Sequence, residues 1–368
     1  TAEEIFSWIE KSSRYAFNKS HAVSYAVCAY WSAFCKAHHQ LEFYCNYLIY
    51  SSGKPDPHQE VRELVNDAKN NEIYISPPSI KSLNVQTDII DGRIHFGMSN
   101  VKSIGVKHIE KFKSIIKEVE EQINKPFIEW SWYDFLVLAS QKVNRPVVIA
   151  LCSIGFFSHL PETRTEMLDR FHTWGQLTKK EQEWAVENHS KFTCIEKILS
   201  KMVPVKKEGG ATFNKKRSDM LRDLLNEMQN PSSPMSDSRR WVIQEEERYL
   251  GVALTYSRIE ACNTNLANTT IKEFLDGKRG DIKMAVTISD VKKWVTKNGK
   301  MKGSEMAFLC VEDTTGTLDT VTVFSDQWQE NKGILYTGNN VIISGTSSKD
   351  KRRQIDDGFI VNSVIELS

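Results

Sequence analysis

Lys19 and His21 stand beside Asn18 and Ser20 where a helical pattern begins, within the string Tyr15-Ala16-Phe17-Asn18-Lys19-Ser20-His21-Ala22. A helix start offers free N–H groups and the positive end of the dipole, so cationic side chains there can make a phosphate site. The same residues also fit an ordinary capped helix with a solvated lysine, Asn18 or Ser20 serving as the cap. A second basic spot lies at 98–117, where Lys102, Lys107, Lys111, Lys113 and Lys117 are opposed only by Glu110. It reads either as a polyanion contact or as a lysine-rich solvated face. A third group mixes cations with aromatics: Lys292, Lys293, Trp294, Lys297 and Lys300 near one predicted hairpin, Phe308, Phe324 and Trp328 beyond it, and Lys349, Lys351, Arg352 and Arg353 at the tip of another. Single-stranded nucleic acid is held by stacking bases on aromatic faces in a positive groove. Phe308 and Phe324, each in an alternating strand, are nevertheless expected in the core. Residues 281–368 hold 11 Lys+Arg against 12 Asp+Glu, so any such binding has to come from local asymmetry.

Cys28, Cys35, His38, His39 and Cys45 lack the closely paired ligands of a structural zinc site, and buried thiols account for them better. No Gly-x-x-x-x-Gly-Lys-Ser/Thr loop and no nucleophile–base pair occurs, so no catalytic residue and no metal ligand is assigned.

These groups need elements to position them. A chain of 368 residues exceeds one core, at roughly 150 residues per domain. With 48 Lys+Arg against 47 Asp+Glu it is neither a uniformly basic coat nor an acidic tail. Its 17 Phe, 11 Tyr and 9 Trp exclude wholesale disorder. The longest apolar stretch, 147–157, is too short to cross a bilayer, and no secretory signal is seen, so no membrane partner is expected. Seven cysteines at irregular spacing fit a reducing, cytoplasmic compartment. Helical periodicity covers 1–50, with Ala22, Ala26, Ala29, Ala33 and Ala37 along one face. A helix at 58–70, a strand at 72–76 and a hairpin turning at Asp91-Gly92 follow. Helices resume near 106 and run to about 202. Residues 203–240 read as a linker with one short helix at 218–228. From 281 the period becomes two, with strands at 282–296, 304–312, 317–324, 340–347 and 354–367 and a helical or irregular piece at 325–336. Five strands so interrupted are the plan of an OB-type barrel. The fold class is therefore multidomain α+β: a mostly helical amino-terminal two thirds, a linker, and an all-β OB barrel.

The Phe17–Ala22 string closely resembles the segment ending the fingers region of the bacterial replicative DNA polymerase III alpha subunit, a C-family DNA polymerase. The continuation through Tyr30-Trp31 and Glu42-Phe43-Tyr44 is similar to that family's next two helices, with Gln40 where proline is usual. Ile73–Ile80 and Ile94–Met98 resemble its following extended segments. Val101-Lys102-Ser103-Ile104-Gly105-Val106-Lys107-His108-Ile109 has the form of a helix-hairpin-helix, in which a glycine-bearing hairpin brings backbone N–H groups close to a DNA phosphate. Ser103 stands where stronger members have the first glycine. A partner hairpin is implied by Lys142-Val143-Asn144-Arg145 together with Ser153-Ile154-Gly155, while Phe156, Phe157 and Leu160 read as core. Met306–Leu309 and Glu312–Gly316 are similar to the family's OB domain.

The resemblance implies end-of-fingers at 1–55, a helix-hairpin-helix duplex-binding domain at 56–178, a helical and linker region at 179–280, and the OB domain at 281–368. Asn18, Lys19 and His21 would face the nucleotide or template. Lys102, Ser103, Ile104, Gly105, Val106, Lys107, Asn144, Arg145, Ser153 and Gly155 would contact duplex DNA. Lys292, Trp294, Lys300, Lys349, Lys351, Arg352 and Arg353 would contact single strands. The family's palm binds Mg2+ for nucleotidyltransferase chemistry through an Asp-x-Asp pair, which this sequence lacks. That palm is expected before Thr1, so the chain alone should not synthesise DNA and binds no cofactor. Implied partners are primer-template DNA, single-stranded DNA and the catalytic amino-terminal part, on the same or a separate chain, in a bacterial cell or a phage host. A sliding clamp is a further partner of the family, although 203–240 carries no recognisable clamp-binding string. The rival reading is a non-catalytic OB adaptor that binds single-stranded DNA or RNA, with the helices as a protein-interaction platform.

Overall fold

The computed structural model describes residues 1–13, 19–81, 83–202, 215–231, 235–296, 303–350 and 355–367. Three helices lead: α1 (Ala2–Ser13), α2 (Lys19–His38) and α3 (Gln40–Tyr50). Helix α4 (Pro57–Asn70) starts where the Asp56 carboxylate accepts the Gln59 N–H at 3.1 Å and Pro57 occupies the first turn. A small sheet follows, of β1 (Ile75–Ser76), β2 (Asp88–Ile90) and β3 (Arg93–His95), in the order β1-β3-β2. Asp91 and Gly92 turn the β2–β3 hairpin with φ of 50° and 72°, the positive values that a two-residue turn of this hand requires.

Helix α5 (Val106–Ile123) buries Ile109, Phe112, Ile116 and Val119, spaced three and four apart, and ends at Asn124 in the left-handed region. Then come α6 (Trp132–Asp134), continued by a wider turn at Phe135–Ala139, α7 (Arg145–Ser153), α8 (Arg164–Trp174), α9 (Lys179–Glu187) and α10 (Ile195–Met202). Thr163 with Glu166 and Thr178 with Glu181 form reciprocal caps for α8 and α9. The centre of the helical body is aromatic: rings of Phe112, Phe127, Trp132, Phe135, Phe156 and Phe157 meet at centroid distances of 4.8 to 6.4 Å. Phe156 and Phe157 are thus core, as read from the sequence.

The expected linker needs correction. Helix α11 (Lys215–Gln229) buries Leu221 and Leu224 in the same core, and Arg217 donates to the buried Glu181 carboxylate on α9. Helix α12 (Arg239–Leu250) also packs there, so the apolar core of the helical body runs on to Val252 and Leu254. An amphipathic α11 buries more apolar surface docked than a tethered linker helix could, which is why the segment folds back.

After α13 (Ile271–Leu275) the strands β4 (Ile282–Val295), β5 (Glu305–Glu312), β6 (Thr317–Val323), β7 (Asn340–Asp350) and β8 (Ile355–Glu366) close a barrel in the order β4-β5-β6-β8-β7, with α14 (Ser325–Asn331) between β6 and β7. Five strands with this interruption are consistent with an OB-like fold. The barrel has its own core, including Ile282, Met284, Val311, Val321, Ile343 and Phe359, separate from that of the helical body.

Candidate nucleic-acid interface

The hairpin at 101–105 is anchored from beneath. Val101 and Ile104 are buried, and the Lys102 N–H donates to the Tyr249 carbonyl of α12 at 2.8 Å. Above that anchor, Lys102, Ser103, Gly105, Val106 and Lys107 are exposed, whereas Ile104 supports the hairpin from the core. Ser103 sits at φ 73°, in the left-handed region where an L residue with a Cβ is disfavoured. Gly105 is extended and begins α5, and a Cβ added there would meet nothing within 4 Å. Among the described residues the N–H groups of Val106 and Lys107 have no acceptor, as expected of a helix start. Lys111 and Lys117 are exposed on the same helix, and Lys102, Lys107, Lys111 and Lys117 make no ion pair with any described residue. Backbone donors, an open approach and unneutralised lysines therefore coincide, which is a chemistry for phosphate and not for base edges.

Asn144 and Arg145, at the exposed start of α7, lie beside this hairpin. A shallow cleft lined by His108, Lys111, Val143 and Asn144 joins the two helix starts. Arg145 is steadied by α8: its Nη2 is 2.8 Å from His172 Nδ1 and its guanidinium 5.5 Å from the Phe171 ring centre. Lys142 pairs with Glu118 of α5 at 2.8 Å, tying the second hairpin to the first helix.

Ser153 and Gly155 do not belong to this surface. They lie at the far end of α7 and are buried. Gly155 has φ 77°, and a Cβ there would stand 2.6 Å from Arg164 Nη2. Arg164 lies across the glycine and donates to the Ser153 carbonyl at 2.9 Å and to Glu246 at 3.0 Å. Glu246 is fully buried and also accepts the N–H groups of Leu254 and Thr255 at 2.7 and 2.8 Å. The glycine thus makes room for a buried ion pair, and no phosphate can reach it. Loss of either partner would strand the other charge, at a cost of about 3–5 kcal/mol.

At the other proposed site, Asn18 lies outside the described residues, and Lys19 opens α2 with its side chain outside them. His21 is exposed, its ring centre 4.4 Å from that of Tyr25. Tyr25, Tyr30 and Trp31 are each more than 60% exposed along α2, and the alanine face is exposed too. A helix apolar on all sides belongs in the interior of a larger body.

On the barrel, strand register overturns one expectation. Lys292 pairs across with Phe308 and Phe308 with Thr322, while Ala307, Leu309, Val321 and Val323 point inward. Phe308 and Phe324 are therefore not core: they are 40% and 51% exposed, on the wall that also carries Trp294 at 50%. Met306, Phe308 and Cys310 are as apolar as Ala307, Leu309 and Val311, so β5 offered no polar alternation from which to tell its faces. Lys292 lies 3.7 Å from Asp290, and Lys293 Nζ stands 5.8 Å from the Trp328 ring centre. Lys300, Lys351, Arg352 and Arg353 lie outside the described residues, as does the side chain of Lys349 at the end of β7.

Comparison with known proteins bears on this surface. The helix-hairpin-helix motif family matches residues 72–167, which include both hairpins. DNA polymerase III subunit alpha of Bacillus subtilis is 26% identical over 98% of this chain, and that of Aquifex aeolicus is 27% identical over 97%. The chain is similar along nearly its whole length to DNA polymerase III alpha subunits. It spans 28% and 26% of the length of those two alpha subunits, consistent with a carboxy-terminal portion. The alpha subunit of Staphylococcus aureus matches all of this chain at 24% identity over 30% of its own length. A solved structure of RecG bound to a three-way DNA junction matches 70% of this chain and 30% of that one at 11% identity, with a TM-score of 0.20, too low to carry an argument.

Proposed function

We propose that this chain is the DNA-binding carboxy-terminal part of a DNA-directed DNA polymerase acting in replication in the cytoplasm. In this reading the paired hairpins hold the backbone of the primer-template duplex, and the barrel wall of Lys292, Trp294, Phe308 and Phe324 stacks single-stranded template. The observation that carries it is the 101–107 hairpin, where exposed lysines, unpaired helix-start N–H groups and open space over Gly105 converge. The exposed apolar surface of α2 supports a seat for the catalytic part, whose palm would hold Mg2+. Among the described residues of this chain no group of three His, Cys, Asp or Glu side chains is placed to hold a metal ion, and no catalytic step is assigned to it.

The test is fluorescence anisotropy with three labelled probes: a primer-template junction, a blunt duplex and a single strand. The junction is expected to bind most tightly, with affinity falling steeply as salt rises. Binding to the single strand alone would favour the OB adaptor, and an absence of binding at low ionic strength would remove the proposal.

A further inference from the structure

Helix α4 lies between the leading helices and the barrel, and its polar side chains divide between them. Asp67 Oδ2 accepts from Lys36 Nζ in the last turn of α2 at 2.6 Å and from the Tyr44 hydroxyl of α3 at 2.8 Å. Asn71, just past the end of α4, donates to the same hydroxyl at 3.0 Å. Tyr44 is fully buried, so its hydroxyl depends on these partners. One residue earlier in each case, the contacts are with the barrel. Asn66 Nδ2 donates to Glu312 Oε2 at the end of β5, at 2.5 Å, and Asn70 Nδ2 donates to Thr317 Oγ1 at the start of β6, at 2.8 Å.

The intervening turn is rigid, because Asp313 Oδ1 accepts the N–H groups of Thr315 and Gly316. Positions 66 and 70 form one i,i+4 row and 67 and 71 the adjacent row, while Leu64 and Ala68 face the core. Further polar contacts cross the seam, with Lys272 reaching Glu72 at 3.5 Å and Arg258 joining Glu247 of α12 to the Gly338 carbonyl of the barrel, beside a small apolar cluster in which Ile259 packs with Ala285 and Ile342 of the barrel. A seam of polar contacts and one small apolar cluster, lying between two larger and separate cores, is a joint that can open without unfolding either side.

We propose that α4 is a two-sided coupling element: seating of the barrel on Asn66 and Asn70 steadies the grip of Asp67 on Lys36 at the end of α2 and of Asp67 and Asn71 on Tyr44 of α3. The barrel's position is thereby transmitted to the helix that carries Lys19 and His21 at its other end. The inference borrows its purpose from the polymerase reading, but its mechanics belong to the DNA-free chain.

The test is made on the full chain without DNA, comparing Asn66→Ala/Asn70→Ala with the parent. Spin labels on unnatural amino acids at positions 117 and 332 report barrel seating, and amide hydrogen exchange reports residues 31–47. The double variant should broaden the label distance distribution and speed exchange at 31–47 at least about threefold, leaving α5 unchanged. Asp67→Asn, which touches no barrel residue, should reciprocally broaden the label distribution. An unseated barrel with unchanged exchange at 31–47 would overturn the coupling, and an unbroadened distribution in the double variant would overturn the seat. Neither readout requires DNA, so a failure of the DNA-binding proposal would be seen separately.

Discussion

Replacing Lys102 and Lys107 together by alanine tests the phosphate-gripping hairpin most directly. Both side chains are exposed and free of ion pairs with described residues, so the fold should not register their loss, and the melting temperature should stay within about 2 °C. Each lysine that neutralises a phosphate contributes about −0.9 to the slope of log K against log salt. Losing both should make the slope less negative by about 1.8. At 0.1 M salt that corresponds to roughly a 60-fold loss of affinity, and at 0.5 M to only about 3.5-fold, because each released counterion gains less by dilution into a saltier solution. The assay is anisotropy titration of a primer-template probe from 0.05 to 0.5 M salt, repeated with several unrelated sequences. A loss of the same factor at every salt concentration, or one confined to a single sequence, would refute the reasoning, since phosphate contacts are ionic and blind to sequence.

Three other outcomes are expected. Ser103→Gly should raise the melting temperature, because relief of about 1–2 kcal/mol of left-handed strain exceeds the roughly 0.5–1 kcal/mol of extra chain entropy lost on folding. Phe308→Ala with Phe324→Ala should weaken single-strand binding by about 1–3 kcal/mol per lost stacking partner, while duplex affinity read in parallel stays unchanged. Burial opposes ionisation of Asp134, but hydrogen bonds from His189, the Ser131 N–H and Lys125 outweigh it and hold the carboxyl well below the usual carboxylate range. A depressed folded value gives stability that is complete above the ordinary Asp value near 4 and is lost as pH falls below it. Denaturant unfolding between pH 5 and 2 should therefore fall less steeply for Asp134→Asn than for the parent.

Local patterns in the chain carry much of this architecture. The helix beginning near 106, the Asp91-Gly92 turn and the interruption between β6 and β7 are properties of neighbours along the sequence, and they are realised where they were read. The lysines of 98–117 belong with them, because an exposed hairpin over a short anchored turn leaves its charges little choice but solvent.

Long-range contacts settled the rest. Ser153 and Gly155 resemble a second phosphate hairpin in sequence, yet Arg164 and Glu246 close over them, and Glu246 stands more than 80 residues further along the chain. Helix α11 reads as a linker helix until Glu181 is seen to receive Arg217. Phe308 points outward because the β4–β5 and β5–β6 registers make it so, and a one-residue shift would have buried it. The sequence by itself determined the leading helices, the 91–92 hairpin, the helix from 106 and the barrel strands, and where unneutralised positive charge gathers, since these depend on residues within a few positions of one another. Which glycine is open, which aromatic is exposed and what α4 joins were decided only by tertiary structure, because burial and pairing are set by residues that the chain brings together from far apart.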